Sequence, residues 1–133
     1  MKSQNIFSLF FLFLAVGCTN MRDLKVSEFR TNDYYDKTIS FNKSLEELSS
    51  ILVYYKLNCR DVEQLLINPD NKTSGTISWQ VPGFMNLATM AVMDFEEEPN
   101  KKVTNVKIYT ANVLWKRRPE KILDILRAGK VCD

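Results

Sequence analysis

The hydrophobic pattern of the chain changes period several times, and each change predicts an element. Ile6 to Gly17 is an apolar run broken only by Ser8. Residues 19–37 are mixed polar and charged and hold no period. Thr38-Ile39-Ser40-Phe41 alternates polar and apolar, which predicts a short strand. Leu45, Leu48, Leu52, Tyr55 and Cys59 then recur at steps of three and four, one face of a helix, with Ile51 broadening it. Ser44, with Glu47 three places on, supplies its capping signal.

Residues 61–67 fit either reading: Val62, Leu65 and Leu66 suit a helical turn, and Leu65-Leu66-Ile67 suits a short strand. Asn68-Pro69-Asp70-Asn71 marks a turn. From Thr76 the texture is that of strands. Ile77, Trp79 and Val81 alternate with Ser78 and Gln80 up to Pro82-Gly83. Residues 84–95 are apolar on both alternating faces, as a central strand should be. The charged loop 96–102 follows, and residues 103–111 alternate again. The last apolar face, Ile122, Ile125 and Leu126, predicts a helix from about Pro119 to Ala128, with Pro119 in its first turn and Gly129 as its C-cap. The order β-α-β-β-β-α predicts an α+β fold. It would be a two-layer sandwich, an antiparallel three- to four-stranded meander with both helices on one face.

The opening run is about a dozen residues, the length of a signal sequence's apolar region, whereas a spanning helix needs about 20. Lys2 precedes it and polar residues follow at Thr19. Its end, Leu14-Ala15-Val16-Gly17-Cys18, resembles the signal of small Gram-negative bacterial lipoproteins, although Ala15 stands where leucine is commoner. The resemblance covers residues 1–18 only. It implies cleavage before Cys18, lipidation of that cysteine (palmitate among its acyl chains) and attachment to the outer membrane on its periplasmic face. Two or more chains anchor stably where one holds marginally. The alternative is an ordinary secretory signal with an incidental cysteine. The expected organisation is a signal peptide over 1–17, a flexible lipidated tether over 18–37 and one domain over 38–133.

Charge and composition then narrow the function. Lys2 is the only charge in the first 17 residues, so the mature chain carries 17 basic and 16 acidic side chains. That balance argues against nucleic acid as a partner, because phosphate binding needs a concentrated basic surface. The densest basic spot, Lys116-Arg117-Arg118, reads as a solvated cluster beside a helix. The chain has no histidine, which removes the serine and cysteine triads that depend on it and the commonest metal ligand. With Cys18 assigned to lipid, Cys59 and Cys132 form an even pair, and an oxidising periplasm favours a disulfide. A free thiol is the alternative, but no CxxC supports a reactive one.

No residue set predicts catalysis, a cofactor or a metal site. Asp94, Glu96, Glu97 and Glu98 cluster carboxylates but lack the spacing of a calcium loop. Together with Trp115 they form the candidate partner surface. The expected function is non-enzymatic: a lipid-anchored envelope protein whose periplasmic domain binds an envelope protein or has a structural role. Two alternatives remain. One is an immunity or inhibitor lipoprotein that blocks a toxin or cell-wall hydrolase through the acidic turn. The other is a carrier of lipid or small ligand, with residues 84–95 lining its cavity.

Overall fold

The computed structural model describes residues 24–133. The expected signal sequence over 1–17 and the lipidation site Cys18 lie outside them. The described chain is α+β and holds a five-stranded antiparallel sheet. In order its elements are α1 (Val26–Phe29), β1 (Tyr35–Phe41), α2 (Leu45–Asn58), β2 (Leu66–Ile67), β3 (Ser74–Pro82), β4 (Leu87–Glu97), β5 (Thr104–Thr110), a 3-10 turn (Val113–Lys116) and α3 (Arg117–Ala128).

Across the sheet the strands run β1-β5-β4-β3-β2. The expected meander is β3-β4-β5. The strand expected at 38–41, β1, flanks it beside β5 and the two-residue β2 flanks it beside β3, so the sheet has five strands where three to four were expected. β2 is the strand alternative for residues 61–67, and it is two residues long because Asn68-Pro69 ends it. Proline has no amide to continue a ladder. β1 starts three residues earlier than its alternation suggests, across an irregularity between Tyr35 and Lys37. There Asp36 pairs with Lys116 at 2.7 Å, and Lys37 pairs with Glu120.

Both long helices cover one face of the sheet. The α2 stripe of Leu45, Leu48, Ile51, Leu52 and Tyr55 packs with Ile122, Leu123, Ile125 and Leu126 of α3. Both meet Ile77 and Trp79 of β3, Ala91, Met93 and Phe95 of β4, and Val106 and Ile108 of β5. The ends follow the local chemistry. Ser44 Oγ accepts the Glu47 amide at 3.1 Å. Pro119 lies in the first turn of α3, and Gly129 closes that helix at φ 79°, a conformation glycine adopts without strain.

The opposite face of the sheet is also apolar, and residues 24–34 cover it. Phe29 is fully buried against Val92 and Tyr109, and its ring stacks on Tyr34 at 4.3 Å. Backbone bonds hold the strap at both ends: the Thr89 amide donates to Leu24 O at 3.1 Å and the Thr110 amide to Tyr34 O at 2.8 Å. The flexible tether expected as far as residue 37 is therefore docked structure from Leu24 onward. No period marked this segment, because a strap lying across a sheet follows its neighbours and has no repeat of its own.

Cys59 caps the C-terminal end of α2 and is bonded to Cys132, which lies just past α3. The Cα atoms are 5.3 Å apart and the sequence separation is 73. In the chain-entropy view, a loop of that length stabilises the fold by about 4 kcal/mol. The double variant Cys59→Ser/Cys132→Ser should therefore lose most of that figure in denaturant unfolding and keep its α+β circular dichroism; an unchanged midpoint would refute the assignment.

Candidate functional site

The expected partner surface does not come together as one patch. Alternation along β4 sends its acidic side chains to different faces. Asp94 points to the strap side, where it takes two hydrogen bonds from Arg30, at 2.6 and 2.9 Å, and one from Thr76 at 2.9 Å. Glu97 points to the helix side and accepts the Leu45 amide at 3.3 Å, at the start of α2. A carboxylate there is favoured by the unsatisfied amides and dipole of a helix N-terminus. Glu98 stays at the turn. Hydrogen bonds from Asn105 and then from Lys101 hold its carboxyl below the usual carboxylate range. Glu96 is exposed on its own. Trp115 is half-buried against the main core, at the far end of the sheet. Among the described residues, no three acidic or thiol side chains gather to hold a metal ion.

What the fold builds instead is an open groove beside β2. Its walls are Leu45, Glu46, Ser49, Ser50 and Val53 of α2 and, opposite, Ile67, Asn68, Pro69 and Lys72. The volume is about 630 Å³. On the other side of the 67–69 segment a second hollow of about 490 Å³ runs past Gly75, Thr76 and Asp94 to Arg30. The short edge strand thus stands as a ridge between two depressions. Leu66 and Val53 are both exposed on it or beside it.

The groove exists because of local sequence. β2 pairs with β3 through only two residues, Leu66 with Thr76 and Ile67 with Gly75. That leaves α2 overhanging an edge that no further strand among the described residues fills. The loop beyond is stiffened by its own side chains. Asn68 Oδ1 accepts the Asp70 amide, and Asn71 Oδ1 accepts both the amide and the hydroxyl of Thr73. The Asn68 amide then donates to Ser74 O at 2.9 Å and closes the loop. Gly75 makes room for the ridge: a Cβ there would lie 3.0 Å from Leu66 O and 3.1 Å from Leu65 Cδ1. Beneath, Trp79 Nε1 donates to Glu63 Oε1 at 2.5 Å and pins the segment before β2 to β3.

Sequence reasoning missed this groove and Arg30. The turn signal at 68–71 was its only trace, since a groove is a relation between α2 and an edge strand too short to show alternation. The chain matches no protein-family model and no curated protein sequence.

Gly75→Val forces a branched side chain against Leu66 O. It should destabilise the protein by roughly 1–3 kcal/mol, the usual cost of overpacking. Amide exchange at Asn68 should rise with it; an unchanged exchange rate there would show that the ridge does not depend on Gly75.

Proposed function

We propose that this chain is a lipid-anchored, non-enzymatic cell-envelope protein whose domain binds an envelope protein partner through the groove beside β2. The groove is the observation that carries the reading. It joins apolar wall residues, Leu45, Val53 and Ile67, to polar ones, Ser49, Ser50 and Asn68, along an edge strand. An edge strand presents unpaired backbone groups, and extended segments of partners recognise such edges by adding a strand. The anchor part rests on Gly17-Cys18 after the apolar run. Among the described residues no helix is long and apolar enough to cross a membrane.

The two other readings have less support. An inhibitor acting through the acidic turn would use carboxylates already engaged by Arg30, Leu45 and Asn105. A carrier would use β4 as a cavity wall, but Ala91, Val92 and Met93 are fully buried in packed side chains on both faces.

The test has two arms on the full chain in its native envelope. Metabolic palmitate should label the wild type and not Cys18→Ala; label on neither removes the anchor. A photoreactive residue placed at Val53 or Leu66 should give one discrete crosslinked product, lost in Gly75→Val and absent when the same group replaces Lys102. Equal crosslinking from Lys102 would reject the groove as the binding site.

A further inference from the structure

The described chain enters the sheet at one particular end, and that end is apolar. Leu24 O accepts the Thr89 amide just past the point where β5 stops, since Thr110 pairs with Ala91 and the Ala111 amide donates to Met90 O. Beyond Thr89 the β3–β4 hairpin continues by about three residues to its turn, or about 10 Å at strand rise. The turn closes with the Gly83 amide donating to Asn86 O at 2.7 Å. It carries Phe84, 92% exposed, and Met85, 81% exposed, with Leu87 exposed at the start of β4. Beside the same end, the 3-10 turn after β5 exposes Val113 (75%) and Leu114 (74%). Its Asn112 cap, whose Oδ1 accepts the Leu114 amide at 3.0 Å, holds those two side chains outward. Lys116, Arg117 and Arg118 follow at once. Lys116 pairs with Asp36 and Arg118 with Glu63, while Arg117 is exposed.

We infer that this end of the domain, the 83–86 hairpin tip with Val113 and Leu114, docks into the lipid surface to which Cys18 is attached. The inference rests on the lipid-anchored reading above. It follows from chain length. Cys18 precedes Leu24 by six residues, so whatever path the chain takes between them, their Cα atoms lie within about 20 Å. A 20-residue tether would leave the domain free to tumble. A strap docked from Leu24 holds its apolar end near the bilayer. Exposed aromatic and aliphatic side chains beside basic ones match the boundary between acyl chains and anionic headgroups. The groove beside β2 is then left facing away from the lipid, since the loop 68–73 leads into the opposite end of β3.

The test uses the full, lipidated chain in vesicles of phosphatidylethanolamine and phosphatidylglycerol, with either plain or brominated acyl chains. In Phe84→Trp, the emission added over that of the parent protein should fall at least twofold in the brominated vesicles and shift to the blue. Equal added emission in both vesicles overturns the inference, whatever else covers the tip. Should Phe84→Trp not fold, Leu114→Trp takes its place with the same two readings. The mass of the N-terminal peptide from the same sample separates the two ideas. An unmodified Cys18 with quenched emission refutes the anchor and keeps the docking surface; an acylated Cys18 with unquenched emission does the reverse.

Discussion

The structure depends on β4 being apolar on both of its faces. A strand of that kind must be covered twice. On one side α2 and α3 supply the cover, with Ala91, Met93 and Phe95 fully buried beneath them. On the other side Val92 requires its own lid, and Phe29 with Tyr34 provides it. Magnitudes rank the contacts of that lid. Burying a phenylalanine contributes about 2 kcal/mol, whereas an exposed ion pair contributes about 1 kcal/mol or less. Phe29 therefore holds the strap in place. The Arg30–Asp94 pair, partly exposed on both sides, aligns it. The hydrogen bond that Arg30 donates to Asp94, and then that carboxylate's charge, raise the Arg30 guanidinium pKa above the usual arginine value.

That covering has consequences beyond stability. Docking the strap fixes which end of the sheet lies closest to Cys18 along the chain. β2 forms the sheet edge at the far side from β1, with α2 overhanging it. The disulfide then ties the outgoing ends of α2 and α3 together, so the helical layer is closed on itself. Tyr55, in the same layer, donates its hydroxyl to Asp133 at 2.8 Å, and that bond pushes its phenol pKa up. The groove beside β2 and the apolar hairpin tip are thus properties of one frame, held at opposite ends of β3.

Much of this frame was legible in the amino-acid sequence wherever an element carries its own repeat or stop signal. Leu45 to Cys59 spells a helical face, Ser44 and Gly129 mark helix ends, and Ile77, Trp79 and Val81 spell a strand. The disulfide followed from parity, once Cys18 was assigned elsewhere. What escaped was tertiary. Phe29 and Arg30 sit in a four-residue helix and its flank, too short for any period. β2 is two residues long, and alternation is meaningless at that length. The acidic run 94–98 is continuous in sequence, yet strand alternation distributes it to two faces and a turn, so proximity along the chain does not make one surface of it. Trp115 belongs to the expected partner surface, yet it is half-buried against the core while Leu114 beside it is exposed.

The chain is docked structure from Leu24 onward, with no free tether after that point among the described residues. Amide hydrogen exchange on the full chain tests it most directly, at two positions where the strap supplies the only acceptor described. The Thr89 amide donates to Leu24 O and the Thr110 amide to Tyr34 O. Both should exchange as slowly as their neighbours in the β4–β5 ladder, Met93 and Ile108. Exchange of Thr89 and Thr110 at the rate of open loop amides, with the ladder still protected, would contradict it.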